Sequence, residues 1–301
     1  MEFSLKDYLR KKEKIINDKL NSIMTRLSNN SLMRETMTYS LMAGGKRLRP
    51  ILCLAGAEIV KSDYKKAVTT ACAIEMIHTY SLIHDDLPAM DNDELRRGMP
   101  TLHIKYKKYR GEAIAILAGD GLLTLAFEIM LSDAAKAKNP LPLIKAANLI
   151  ADAAGYNNII AGQTEDILSE GKKRTLSKIE KIDSLKTGAL INASVLSGAI
   201  IGGADLKRQK SLEIYAKNIG FAFQITDDIL NVVGDQKTMG KAVGTDKTNL
   251  KNTFPDIMGL DKSKKYAENL IKNALKALDK FDDKLAEPLK AVALYVIERN
   301  K

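Results

Sequence analysis

Asp85, Asp86, Asp91, Asp93 and Glu94 fall within ten consecutive positions, and Arg96 and Arg97 follow directly. Five carboxylates so close repel one another unless cations sit among them. Hard divalent cations take oxygen ligands, and Mg²⁺ uses one or two carboxylates while keeping room for water and phosphate. The guanidinium fork matches phosphate oxygens two at a time. An acid cluster with an arginine pair behind it therefore suits a Mg²⁺-bridged polyphosphate. Taken alone, such a run is more often a solvated loop. It is not an EF-hand: counting from Asp91, the sixth position is Arg96 where glycine is needed, and the twelfth is Leu102 where Glu is needed.

A second cluster gives the first its weight. Asp227 and Asp228 close an apolar run, as Asp85 and Asp86 do. Two Asp-Asp pairs at the ends of two apolar helices can face each other across a bundle and hold metal between them. Gln224, Asp227 and Asn231 are spaced i, i+3, i+7 and share one helix face. His78 precedes Asp85 by two helical turns and projects from the same face. Asp91 follows Asp85 by six residues, about 240° around a continuous helix, so the chain must loop after Pro88 for both to serve one site. In GGKRLRP, residues 44–50, the glycines stop one helix and Pro50 suits the first turn of the next. Lys46 and Arg49 thus stand at a helix N-terminus, where free N–H groups favour an anion.

The elements that position these residues are helical. Apolar residues recur at helical spacing over about 3–27, 32–43, 50–60, 64–86, 112–136, 142–154, 176–201, 206–233, 262–281 and 284–298, and GQTED (162–166) lies in one more helix. Within it Gln163 and Asp166 share a side. Lys186 and Thr187 stand where the helix over 176–201 turns from charged to uncharged, a border at which a lysine usually snorkels. Residues 235–254 form a glycine-punctuated loop with Lys241 and Lys251, without the P-loop pattern. No stretch alternates as a strand would. The expected fold is all-α, one domain over 1–301, a bundle of roughly ten helices with the Asp clusters at one end of the core.

Composition narrows the function. Lys and Arg exceed Asp and Glu by 47 to 37 in 301 residues, which suits nucleic acid, an anionic membrane or a phosphorylated substrate. Trp is absent and aromatics are 5%, which argues against a stacking platform for nucleic acid. The longest uncharged run, 187–204, contains Thr, Asn, Ser and Gly and reads as a buried helix, not a membrane span. Cys53 and Cys72 have neither disulfide-framework nor metal-ligand spacing, and a reducing, cytoplasmic compartment is expected.

Six stretches in order, GGKRLRP, HTYSLIHDDLPAMDNDELRRG, AGQTEDI, LKTGAL, GFAFQITDDILNVVGD and GKAVGTDKTNLK, resemble the motifs of the trans-isoprenyl diphosphate synthases. The resemblance runs nearly end to end and is strongest to the bacterial farnesyl diphosphate synthase type. It implies an isoprenoid-synthase bundle around a deep apolar cavity, a homodimer, and three Mg²⁺ ions with substrate bound. Asp85, Asp91 and Asp227 are the implied metal ligands. Arg96, Lys186 and Lys241 would contact the allylic diphosphate. Lys46, Arg49, His78 and Arg97 would hold isopentenyl diphosphate, with Arg299 as a further candidate. Thr187 and Gln224 would present oxygens to a developing cation, and Lys251 would close the mouth. Tyr80, five residues before Asp85, would form the floor that stops chain growth, with Ser81 beside it along the cavity wall, favouring a fifteen-carbon product. Asn231 departs from the family's third aspartate; Asp227 remains, so activity is still expected. A geranylgeranyl diphosphate synthase, a terpene cyclase and a catalytically silent partner subunit are the competing readings. The second diphosphate site counts against the cyclase.

Overall fold

Helix α1 (Leu5–Arg26) shows how these elements arise. Ser4 caps it by accepting from the Asp7 N–H at 3.3 Å, and its turn-spaced Lys12, Ile16, Leu20 and Met24 are buried. The computed structural model describes residues 3–27, 31–233 and 253–298. Lys241, Lys251 and Arg299 lie outside the described residues. The other longer helices are α2 (Ser31–Leu41), α3 (Leu48–Glu58), α4 (Val68–Asp85), α5 (Gly111–Lys136), α6 (Leu141–Ala154), α7 (Ile159–Leu168), α8 (Leu176–Asp183), α9 (Ala189–Ile201), α10 (Leu206–Val233), α11 (Leu260–Ala277) and α12 (Asp283–Glu298). The all-α expectation holds.

Three sequence expectations need correction. The helix expected over 176–201 is two helices joined by a π turn, Ser184–Gly188. This split is one reason twelve helices of eight or more residues stand among the described residues where roughly ten were expected. A short helix, Phe254–Met258, starts at the end of the stretch expected to be loop; Thr253 and Asp256 form a reciprocal capping box there. Finally, Leu95–Arg96 pairs antiparallel with Met99–Pro100. The residues between, Arg97 at φ 54° and Gly98 at φ 74°, turn with the positive φ values that a two-residue hairpin requires.

The core helices are set by close approach. α9 packs on α3, α6 and α10, while α4 packs between α3 and α5. Where α9 crosses α3, a Cβ on Gly198 would lie 1.8 Å from the Cys53 carbonyl oxygen, and one on Gly56 would lie 2.2 Å from that of Val195. Backbone cannot yield as a side-chain tip can. Gly198→Ala is expected to cost about 2–3 kcal/mol through overpacking; an unchanged urea midpoint would show that the crossing is not so tight.

Among the described residues, two helical stretches are long and apolar enough to cross a membrane by length and composition, Gly111–Lys136 and Leu176–Ile201. The second is the one broken by the π turn, and most of Ala189–Ile201 is buried against its neighbours, as expected for 187–204. α5 instead leaves Ile116, Leu117 and Leu131 about half exposed.

Candidate active site

α4 ends in the first acid cluster. Pro88 and the residues after it loop back so that the Asp91 N–H donates to the Asp85 carbonyl at 2.8 Å, which is the return the six-residue spacing demanded. The Asp85 carboxyl is pushed up to about 6; burial is the largest cause, Asp91 and Asp86 add to it, and Lys186 and Arg96 oppose it. A buried carboxylate crowded by others is short of positive charge, and a hard cation is what such a group accepts. Among the described residues, no group of three or more His, Cys, Asp or Glu side chains is placed to hold a metal ion.

Asp86 has a different task. It is buried and accepts from Arg96 Nε at 2.6 Å, while Arg96 Nη2 reaches Asp93 at 3.1 Å. Arg96 is therefore held beside the cluster by two carboxylates. Arg97, at the hairpin tip, donates to the Gly44 carbonyl, and its guanidinium lies against Gly45, where a Cβ would be 2.6 Å away. Gly45 at φ 116° is a position L side chains rarely adopt. The glycine pair thus joins the two basic motifs.

The residue between Lys46 and Arg49 that matters structurally is Arg47. It caps α3 at φ 48°, is buried, and bonds Asn17, Glu75 and the Leu41 carbonyl. With Arg47 fixed, Lys46 is left exposed, its Nζ 5.3 Å from the Tyr295 ring centre. Arg49 turns inward, with Nη1 3.4 Å from His78 Nε2. Since arginine only donates, Nε2 accepts and the ring proton belongs on Nδ1. Burial, and then Arg49 and Arg97, hold His78 well below the ordinary histidine range, so it is neutral near pH 7. Burial also lowers Arg49, against the charges of Glu75 and Asp227. The charge of Asp227 on α10 is thus felt at Arg49.

Its partner Asp228 is buried, accepting from the Phe254 N–H at 3.0 Å and from Gln224 Nε2 at 3.3 Å. It ties α10 to the short helix Phe254–Met258. Gln224 Oε1 in turn accepts from the Thr187 hydroxyl at 3.4 Å.

The π turn aims Lys186 and Thr187. It packs on α7 at Gly162, where a Cβ would be 2.6 Å from the Lys186 backbone nitrogen. Lys186 does not snorkel: Nζ donates to Asp166 Oδ2 at 2.9 Å. Burial disfavours its charge, but Asp85, Asp166 and Asp91 outweigh this and raise it above the usual lysine range. The other Asp166 oxygen takes Arg174 at 2.9 Å. Asp183 lies close by and is raised well above the ordinary carboxylate range, first by burial and then by Asp228 and Asp166.

Two cavities meet at Lys186 and Thr187. One, about 310 Å³, runs between α4 and α7 and is lined by Arg49, His78, Tyr80, Ser81, Asp85 and the apolar Met90, Ile159, Ile160 and Ile167, among others. The other, about 200 Å³, is polar and is lined by Asp166, Arg174, Asp183, Gln224 and Asp228 with two isoleucines and Thr253. Arg49, His78, Tyr80, Ser81, Asp85, Lys186, Thr187 and Gln224 thus line these two spaces. Arg96 and Arg97 stand at a third, smaller space behind α4, and Lys46 lines none of the three. Sequence reasoning missed His84, Asp183 and Arg174. His84 has a signal, one turn after Tyr80 and next to Asp85; Arg174 sits in a basic turn that looks like ordinary surface.

The chain as a whole is similar to known proteins. The polyprenyl synthetase family pattern matches residues 30–292. A geranylgeranyl diphosphate synthase from Cyanophora paradoxa is 46% identical over 99% of this chain and 97% of its own. A farnesyl diphosphate synthase from Geobacillus stearothermophilus is 44% identical over 86% of each chain. Among solved structures, an FPP/GFPP synthase from Zymomonas mobilis in its apo form superposes with a TM-score of 0.84 at 33% identity, covering 98% of this chain and all of the other.

Proposed function

The chain belongs to the polyprenyl synthetase family, and on that premise we propose that it condenses isopentenyl diphosphate with dimethylallyl or geranyl diphosphate to give farnesyl diphosphate and pyrophosphate. The activity at family level is prenyl transfer; the fifteen-carbon product is our reading. The observation that carries it is the cavity between α4 and α7, with charged groups at Asp85 and Lys186 and with Tyr80, 7% exposed, in its wall. The whole chain is taken as a single domain.

Asp85, Asp91 and Asp227 would hold Mg²⁺, which when bound supplies charge stabilisation to a leaving diphosphate. Lys186 and Arg96 add positive charge where the leaving group becomes negative. Lys46, Arg49, His78 and Arg97 bind the second diphosphate. Arg49 and Arg97 supply charge, and neutral His78 supplies its Nδ1 proton. Thr187 and Gln224 set their oxygens beside the developing allylic cation. The isoleucines of α7 exclude the water that would quench it. The double bond of isopentenyl diphosphate attacks, and the proton lost in closing the new alkene passes to the released pyrophosphate.

Two free buried cysteines support a reducing, cytoplasmic location. The half-exposed Ile116, Leu117 and Leu131 on α5 support a homodimer built on that helix; a single 33 kDa species in sedimentation would exclude it. No membrane span and no nucleic-acid partner form part of the reading.

The test is a product assay with isopentenyl diphosphate and either allylic substrate, run with Mg²⁺ and with chelator. A chelator-sensitive fifteen-carbon product is expected, and Tyr80→Ala is expected to move the product to twenty carbons or more. A twenty-carbon product from the unmutated protein favours the geranylgeranyl reading, which the Cyanophora relative's name supports. An unchanged spectrum in Tyr80→Ala removes it as the floor.

A further inference from the structure

Tyr80 does not stand in the cavity wall unaided. His84, one turn further along α4, packs edge-on against it, with ring centres 5.7 Å apart and planes at 78°. His84 Nε2 donates across to the Ile116 carbonyl on α5 at 3.1 Å and stands 3.9 Å from Asp120 Oδ1. The ring can lie that close to α5 for one reason. Gly119, one turn on from Ile116 on the same face, has no side chain, and a Cβ there would be 2.2 Å from His84 Nε2 and 2.6 Å from Cδ2. A backbone contact, a ring contact and a missing side chain converge on one imidazole, and Tyr80 and His84 both line the cavity.

We propose that His84, seated by Gly119 and Ile116, is a positioning residue for product length: it fixes the Tyr80 ring as the floor of the cavity. The proposal rests on the chain-elongation reading above. His84 acts through Tyr80, not as a second floor. The floor's depth is then set by a contact between two helices, not by the size of one residue. Tyr80 alone, without the imidazole beside it, is free to change rotamer and let a growing chain pass.

The test uses the full chain with isopentenyl diphosphate, geranyl diphosphate and Mg²⁺, with products resolved by length. His84→Ala is expected to lengthen the main product by at least one five-carbon unit while Tyr80 is still present. In the Tyr80→Ala background it is expected to add nothing. Gly119→Ala is expected to alter the product spectrum when His84 is present and to have no effect in His84→Ala. Alanine is the better helix former, and the atoms that must give way are a side chain, so this variant keeps the test valid if His84→Ala folds poorly. Unchanged products in both single variants overturn the proposal. So does further lengthening by His84→Ala on top of Tyr80→Ala, which would make the imidazole a wall in its own right. An unmutated protein that yields no prenyl product refutes the elongation reading instead, and the two failures are distinguishable.

Discussion

Turnover of Lys186→Ala is expected to fall about a hundredfold to a thousandfold, the usual loss when one preorganised donor to a developing negative charge is removed. Lys186 is the cation common to both cavities. Asp85, Asp166 and Asp91 hold it charged despite burial. Asp166 sets its direction from 2.9 Å, and the π turn sets its position. Lys186→Arg keeps the charge but not the compact ammonium and should recover part of the loss. The fold should survive in Lys186→Ala, because Arg174 still pairs with Asp166. Steady-state rates at saturating substrates decide it: a kcat within tenfold of the unmutated protein would mean that Lys186 serves Asp166, not the reaction.

Glu75→Ala is expected to destabilise the protein by about 3–5 kcal/mol, the cost of leaving a buried charge without its partner. Arg47 and Glu75 meet at 2.7 Å with side chains 1% and 2% exposed. Arg47 also donates to Asn17 and to the Leu41 carbonyl, so its guanidinium has nowhere else to go. Replacing Arg47 and Glu75 together by apolar residues should cost much less. Urea midpoints of the single and double variants separate the two cases; equal losses would show that the pair is not the cause. The same change should reach the site, since Arg47 starts α3 and Lys46 and Arg49 flank it. A raised KM for isopentenyl diphosphate is the expected second sign.

The fold was legible because its helices carry their pattern locally. The apolar spacing of 5–26 and the Gly-Gly stop before Arg49 are visible in the residues themselves. The His78 to Asp85 offset needed only 3.6 residues per turn. The return of Asp91 to Asp85 could be demanded from geometry, though not drawn. What stayed hidden depends on neighbours distant in the chain. Nothing near Arg174 shows that Asp166 buries it. Nothing near Gly119 shows that an imidazole from another helix lies on it. The π turn was missed for the same reason: residues 176–201 have unbroken helical periodicity, and the interruption comes from what each half packs against.

That interruption can be stated as a matter of phase. α8 is anchored by Ile179 and Ile182, and α9 is anchored by Gly198 against the Cys53 carbonyl. A regular helix advances about 100° per residue, so two fixed faces joined by one continuous helix tolerate only certain numbers of residues between them. The widened turn at 184–188 absorbs the mismatch without moving either anchor. Deleting one residue there would restore an even helix and rotate Lys186 and Thr187 away from Asp166 and Gln224. The widened turn is thus the means by which two rigid, independently seated helices aim a pair of side chains that neither could aim alone.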